Sequence, residues 1–293
     1  MRENPVCHLF GIRYPIVQGG MLGISFPELA AAISNAGGLG MLSGGKPAHK
    51  LRAEIRRTMK LTDKPFGVNL PMQSVKERAV EIVEIIAEEG VKVVATAAGS
   101  PAVCTKPLKN AGIVVMHVVS TVDHALAAEA AGVDVVVASG VEAGGFVGRY
   151  EITTLVLVPQ VVDAVKIPVI AAGGIGDARG FVAALALGAR GIQMGTRFIA
   201  TRDCPAADDY KQAIVRAKDN STEIVGRGGA PARCFRTESL TVESSNSQTP
   251  YSAGQVAGLI RDIPTVAEFI NSLVKMSTLI SNQVTESLSQ ISQ

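Results

Sequence analysis

Eight short apolar segments recur between residues 16 and 195 of the 293-residue chain, and stretches of helical periodicity separate them. The segments are continuous and rich in β-branched residues, a pattern typical of strands that a parallel sheet buries on both faces. Eight strands that each precede a helix match a (β/α)₈ barrel, so we predict an α/β TIM barrel over residues 1–200. An open doubly wound sheet, which needs fewer units, is the alternative. The segments are IVQG (16–19), GLGML (38–42), FGVNL (66–70), VKVVAT (91–96), IVVMHV (113–118), VDVVVAS (133–139), PVIAAGG (168–174) and GIQMG (191–195).

The pattern changes after Phe198. Residues 201–250 contain one helical stretch and then a polar segment rich in glycine and serine, which predicts a small cap lobe inserted after strand eight. Residues 251–293 are predicted to form C-terminal helices that pack back on the barrel, because residues 252–276 have helical spacing. The weakly amphipathic residues after 276 are expected to fray.

Composition limits the classes of partner. The chain has 28 basic and 26 acidic residues, so no global field recruits nucleic acid or an anionic membrane, and the expected partner is a small-molecule substrate. Without a secretory signal or a membrane-spanning apolar run, we expect a cytoplasmic protein. The four cysteines form no CxxC or metal-ligand pair, which predicts free thiols and no metal site. Whether the chain forms a homodimer stays open.

Two glycine loops at the ends of the last two strands predict a phosphate site. In barrels of this kind the active site lies at the carboxyl ends of the strands, and loops seven and eight commonly hold a phosphate. Here AAGGIGD (171–177) follows strand seven and QMGTR (193–197) ends strand eight. Glycine amides beside a helix N-terminus can donate to a phosphate. A simple tight turn at these glycines is the alternative, but the presence of both loops favours phosphate binding.

Two further strand ends suit a flat heterocycle. Asn69 ends the buried segment FGVNL, and its amide can both donate and accept, as the edge of a flavin or pyrimidine requires. QGGMLG (18–23) ends strand one with glycines that let the backbone approach a ring. An Asn69 satisfied by its own chain and a plain β-to-α turn are the alternatives.

Taken together, these segments resemble the nitronate monooxygenase (2-nitropropane dioxygenase) family, which includes flavin-dependent type II enoyl-acyl-carrier-protein reductases and some NADH:quinone oxidoreductases. The matching stretches are QGGM, GVNL, VVASGVEAGGFVG, PVIAAGGIGDARG and GIQMGTRF. The resemblance implies a TIM barrel that binds FMN under a small lobe, with NADH or NADPH as a candidate electron donor. The implied cofactor-binding residues are Gly20, Met21 and Asn69 at the isoalloxazine, Gly173, Gly174, Gly195 and Thr196 around the phosphate, Glu142, Gly144 and Gly145 in the family loop EAGG, and Ala172.

Phe146 departs from the family pattern. Family members commonly read EAGGH, and the resemblance implies that this histidine is the catalytic acid or base. Its loss removes a factor of about 10²–10⁴ from a base-assisted step unless another group substitutes. His117, near the end of strand five, is the candidate catalytic substitute, and a buried histidine bonded to its own chain is the alternative. Phe146 itself is expected to wall an apolar substrate pocket or cap the flavin, with an aromatic plug as the alternative.

The resulting hypothesis is an FMN-dependent oxidoreductase of the nitronate monooxygenase type that oxidises a small organic substrate. One alternative is an NAD(P)H-dependent reductase of an enoyl thioester or a quinone. Another is an FMN-binding protein without turnover. A non-redox phosphate-binding isomerase or synthase would need ionisable residues at strand ends, which are scarce here. The basic segment 46–60 could meet a carrier protein, coenzyme A or a dinucleotide, or could simply be a solvated helix face.

Overall fold

Eight parallel strands form the centre of the computed structural model, which describes residues 4–236 and 251–291. Every apolar segment predicted as a strand forms one. In chain order the strands are β1 (Ile16–Gln18), β2 (Gly40–Ser43), β3 (Phe66–Pro71), β4 (Val93–Ala97), β5 (Val114–Val119), β6 (Val135–Ser139), β7 (Gly145–Phe146), β8 (Val169–Ala172), β9 (Gly191–Met194), β10 (Thr222–Val225) and β11 (Ala232–Phe235). The barrel strands pair in the order β1-β9-β8-β6-β5-β4-β3-β2.

The first two strands close the barrel through a parallel bridge between Val17 and Leu39. The amide of Leu39 donates to the carbonyl of Ile16 at 2.9 Å, and the amide of Gln18 donates to the carbonyl of Leu39 at 2.9 Å. This closure confirms the predicted TIM barrel and excludes an open doubly wound sheet.

Helices connect the strands and cover their outer faces. The α-helices are α1 (Pro5–Phe10), α2 (Pro27–Asn35), α3 (Ala48–Leu61), α4 (Met72–Val75), α5 (Ala79–Glu88), α6 (Ala102–Asn110), α7 (Val122–Ala130), α8 (Thr154–Ala164), α9 (Ala178–Ala186), α10 (Thr196–Ile199), α11 (Asp208–Arg216) and α12 (Val266–Ile291), with 3₁₀ turns at Lys76–Arg78 and Gln255–Leu259. No helix in the described part of the chain is both long and apolar enough to span a membrane.

The inside of the barrel is a separate apolar core. Val17, Met41 and Met116 point into it from the strands. Val6 and Phe10 of α1 pack against the same core, so α1 covers the end of the barrel where the strands begin. A ligand is therefore expected at the opposite end, where the strands finish.

The cap contains a three-stranded antiparallel sheet in the order β10-β11-β7. β10 and β11 come from the predicted cap segment, whereas β7 belongs to the loop after β6. Within this sheet Phe146 pairs with Ala232, and Gly145 pairs with Arg233. The cap therefore includes part of the EAGGF loop, which the assignment of the cap to residues 201–250 did not anticipate. Residues 237–250 of that segment lie outside the described residues.

The C-terminal region differs from expectation in two ways. Helical spacing over residues 252–276 corresponds to a 3₁₀ turn followed by α12, which begins only after Pro264. Thr265 and Glu268 form a reciprocal cap there, with amide-to-side-chain distances of 2.7 and 3.2 Å. The expected fraying after residue 276 is wrong, because α12 continues to Ile291. Capping and packing nucleate the helix near its start, and each later residue only propagates it.

Candidate active site

Small or uncharged side chains surround the mouth of the barrel at the carboxyl ends of its strands. Side chains alternate between the two faces of a strand, and residues paired in register share a face. Val17, Met41 and Met116 point into the barrel interior. Every second residue after them on the same strand, and every residue paired in register with an inward residue, therefore also points inward. These mouth positions carry no ionisable group, so the mouth is lined by uncharged side chains. They are Gly19, Ser43, Asn69, Ala97, Val118, Ser139, Ala172 and Gln193.

The structure brings Gly20 and Asn69 together, as the resemblance implies. A Cβ atom at Gly20 would lie 2.3 Å from the Cβ and Cγ atoms of Asn69, so only glycine fits there. Asn69 is 8% exposed, and its amide makes no hydrogen bond to another described residue. A nearly buried amide with unused donors and acceptors is suited to a polar ligand edge.

Met21 connects the loop after β1 to Gly195 after β9 through its side chain, while its amide is bonded within its own loop. Its amide donates to Oγ of Ser25 at 2.9 Å, and the Gln18 side chain donates to the same oxygen at 2.9 Å. Its sulfur lies 3.4 Å from the position of a Cβ atom on Gly195. The Met21 amide is therefore already engaged, and Gly20 is the residue of this loop whose main chain is free to approach a ring. No sequence pattern predicted the role of Ser25 as the acceptor for these two groups.

The loop after β8 contains two glycines in backbone conformations that other residues rarely adopt. Gly173 and Gly174 have φ angles of 98° and 71°, which favour glycine. The amides of Gly174 and Gly195 donate to no backbone carbonyl of the described chain. The predicted helix N-terminus is not available, because the Asp177 side chain accepts from the first free amides of α9. A phosphate here would therefore rely on loop amides.

A third segment, residues 252–254, joins the predicted phosphate residues after β9 to the EAGG loop. The Gly254 amide donates to Oγ1 of Thr196 at 3.0 Å. A Cβ atom on Gly144 would lie 2.6 Å from the Gly254 nitrogen. The Tyr210 hydroxyl of α11 donates to the carbonyl of Ser252. The only sequence signal for this segment is the tripeptide SAG before the QVAGLI turn.

Glu142 contacts Thr154 at the start of α8. Both carboxylate oxygens lie 2.9 Å from the Thr154 amide, and Oε2 also lies 2.9 Å from its Oγ1 atom. A Cβ atom on Gly174 would lie 3.4 Å from the Glu142 Cβ, so the two predicted residues are neighbours. The carboxylate is thus engaged with the chain itself.

Phe146 is 63% exposed on β7, so it does not plug the barrel. Leu22 and Tyr150, on the loops after β1 and β6, are 74% and 78% exposed. Loops that follow the strands lie on the same face of a barrel. Leu22, Phe146 and Tyr150 therefore lie on the face of the barrel where the strands end, and we call these exposed side chains the apolar rim. Exposed apolar side chains on this face suit an apolar substrate.

His117 lies on the outer face of β5 rather than at the mouth. Its strand neighbours Val115 and Val119 belong to the outer core, whereas Met116 points inward. The ring Nδ1 atom lies 2.8 Å from Oγ1 of Thr96 in a buried pair. Burial, followed by the charge of His124, lowers the pKa of His117 to about 4 from 6.5. The imidazole is neutral and satisfied at physiological pH, which favours a structural role.

The basic segment 46–60 forms α3, and acidic residues of neighbouring helices pair with its arginines. Arg52 contacts Glu88 and Glu89, and Arg56 contacts Glu89. This pairing favours the solvated helix face over a docking site for an anion. Likewise, Arg227 of the cap pairs with exposed Glu151. Among the described residues, no cluster of three or more metal-binding side chains occurs.

Comparison with known proteins identifies the family of the chain. The family model of nitronate monooxygenase matches residues 3–82 and 71–249. A probable nitronate monooxygenase of Staphylococcus saprophyticus is 37% identical over 278 residues, which cover 80% of this chain and 78% of the relative. A (3aS,4S,5R,7aS)-5-hydroxy-7a-methyl-1-oxo-octahydro-1H-indene-4-carboxyl-CoA dehydrogenase of Rhodococcus jostii is 35% identical and covers 96% of this chain and 77% of its own length.

Comparison with solved structures supports the same family. The structure of FabK from Thermotoga maritima superposes with a TM-score of 0.91 at 38% identity, over 98% of this chain and all of that one. The matched segments include both glycine loops and the EAGG loop. The chain therefore belongs to the nitronate monooxygenase family of oxidoreductases.

Proposed function

We propose that this chain is an FMN-dependent oxidoreductase that oxidises a small organic substrate, as the nitronate monooxygenase type does. The observation that carries the proposal is the unused amide of Asn69 beneath Gly20, at the rim of an uncharged barrel mouth. Such a surface suits a flat heterocycle with polar edges.

The proposed roles follow from the positions of the residues. Asn69 would hydrogen-bond the isoalloxazine edge, and the main chain of Gly20 would lie against its ring. The amides of Gly174 and Gly195 would donate to the phosphate. When bound, FMN supplies a two-electron acceptor and donor that takes and returns a hydride. The chain would orient the two reacting partners.

The uncharged mouth also constrains the reaction. The mouth positions carry no acid or base, and Phe146 occupies the position at which the family resemblance implies a histidine. An alkyl nitronate is already deprotonated and needs no protein base before oxidation. Hydride transfer from a nicotinamide likewise needs orientation more than proton transfer. Both reactions fit a site without the family histidine.

An acyl-thioester oxidoreductase using NADH or NADPH is the second candidate. The apolar rim of Leu22, Phe146 and Tyr150 favours it, because an acyl chain would cover these exposed side chains. One relative is named as a dehydrogenase of a carboxyl-CoA compound, which carries a thioester.

Anaerobic mixing of the FMN-loaded protein with each donor separates the candidates. Bleaching of the flavin absorbance by an alkyl nitronate alone supports the first. Bleaching by NADH or NADPH, followed by reoxidation with an enoyl-CoA, supports the second. Flavin that no donor reduces would overturn the enzymatic proposal and leave a binding protein.

A further inference from the structure

We infer that Glu142 is a positioning residue that supports both glycine loops of the proposed phosphate site, the one after β8 and the one after β9. It does not face the flavin ring. The inference rests on the proposed function, because it concerns how FMN is bound. Its subject is the network of contacts from Glu142 to the loops after β8 and β9.

The first branch runs through the side chain. The Glu142 carboxylate accepts the Thr154 amide at 2.9 Å. The Thr154 Oγ1 atom also lies 3.1 Å from the carbonyl oxygen of Ala172 and 3.0 Å from that of Gly173. Thr154 thus connects Glu142 to the end of β8 and to the first residue of the glycine loop.

Space around Thr154 is already filled. A Cβ atom on Gly173 would lie 2.8 Å from the Thr154 Oγ1 atom, and a Cβ atom on Gly140 would lie 2.2 Å from it. The Thr154 side chain is therefore held between two strand ends, and a shift in it would move the loop. Gly174, whose amide is free for a phosphate, lies against the Glu142 side chain.

The second branch runs through the main chain. The Glu142 carbonyl accepts the amide of Gln255 at 2.9 Å. The neighbouring Gly254 donates to Oγ1 of Thr196, the first residue of α10, which directly follows Gly195 at the end of β9. One residue therefore contacts the supports of both glycine loops, which lie on neighbouring strands.

The position of the carboxylate argues against a direct role at the cofactor. Three contacts of 2.9 Å direct it to Thr154 at the start of α8. A negative charge facing the phosphate would also weaken binding by repulsion. Its effect on FMN must then pass through Thr154 and the loop amides.

Flavin affinities test this, because riboflavin lacks the phosphate. The probes are FMN and riboflavin, titrated into the apoprotein by fluorescence quenching. Glu142→Ala is expected to lower FMN affinity by about ten-fold and to leave riboflavin affinity within about two-fold. Glu142→Gln keeps an acceptor for the Thr154 amide and is expected to retain most of the FMN affinity. Glu151→Ala removes a carboxylate from the same loop and serves as the control.

Variants of Thr154 test whether the effect of Glu142 on FMN affinity passes through Thr154. Thr154→Val, which removes the hydroxyl, is expected to reproduce the loss of FMN affinity. Thr154→Ser keeps the hydroxyl and is expected to bind FMN as tightly as the wild type. In the double variant with Glu142→Ala, the loss should be no larger than in either single variant, because the two residues act in series. Additive losses, or equal losses for FMN and riboflavin in Glu142→Ala, would overturn the inference. Wild-type protein that binds neither flavin would instead overturn the proposed function.

Discussion

The main chain of Gly20 lies against the side chain of Asn69, so closely that an added Cβ would come within 2.3 Å of it. This contact joins the loop after β1 to the end of β3 and exposes one unused amide beneath a glycine. The two residues together define where a flat ring would lie.

Gly20→Ala is expected to destabilise the fold, because the new methyl group overlaps Asn69. Overpacking of this kind costs about 1–3 kcal/mol, which corresponds to a fall of several degrees in the melting temperature. Differential scanning fluorimetry measures it. Gly228→Ala is the matched control, since a Cβ atom there meets nothing within 4 Å. Equal melting temperatures for the two variants would show that the loop after β1 moves freely from Asn69.

Asn69→Ala is expected to lower the affinities for FMN and riboflavin by the same factor, about ten-fold, because the amide would contact the ring that both flavins share. Stability should change little, since no described residue bonds the amide. Fluorescence titration with each flavin checks the ratio. A loss confined to FMN would place Asn69 at the phosphate instead.

Stability should fall as the pH drops below 6.5, in part because of His117. Burial lowers its pKa to about 4, so between pH 6.5 and pH 4 the unfolded chain binds a proton that the folded chain does not. Each pKa unit corresponds to about 1.4 kcal/mol, and urea unfolding should show about 2 kcal/mol less stability near pH 5 than near neutrality. His117→Gln should flatten this dependence, whereas exposed His49→Gln should not.

The same His117→Gln variant tests catalysis. Because the ring lies on the outer face of β5, the rate of anaerobic flavin reduction is expected to stay within about two-fold of wild type. A loss of ten-fold or more, with the fold intact, would assign His117 the proton-transfer role that its position in IVVMHV first indicated.

Phe146→Ala is expected to raise KM for apolar substrates and leave stability nearly unchanged, because the ring is 63% exposed. Steady-state kinetics with a short and a long acyl substrate would measure it, with the larger rise for the longer chain. Phe146→His, which restores the common family residue, should raise the rate only if a proton-transfer step limits turnover. An unchanged KM for both substrates would remove Phe146 from the substrate pocket.

The barrel was predictable because each strand is buried on both faces and therefore consists of a continuous apolar run. FGVNL and VDVVVAS each became one strand of the closed sheet. The β7 strand was not predictable, because Gly145 and Phe146 carry no strand pattern and pair only once the cap hairpin is in place. The continuation of α12 was missed because propagation from a packed, capped helix leaves no local signal.

Residues of the candidate site could be anticipated from the sequence where backbone geometry dictates the residue type. Gly20, Gly173 and Gly174 stand where a side chain would clash or where φ is positive. Contacts between distant segments left no such mark, and so Thr154 and Gly254 were missed. His117 was misplaced because a one-residue shift along a strand moves a side chain to the other face.

The cofactor content of the purified protein tests the central claim most directly. The purified chain should be yellow, or should turn yellow on titration with FMN, and should release FMN on denaturation, identified by chromatography. A colourless chain that leaves added FMN unbound would contradict the assignment as an FMN-dependent oxidoreductase.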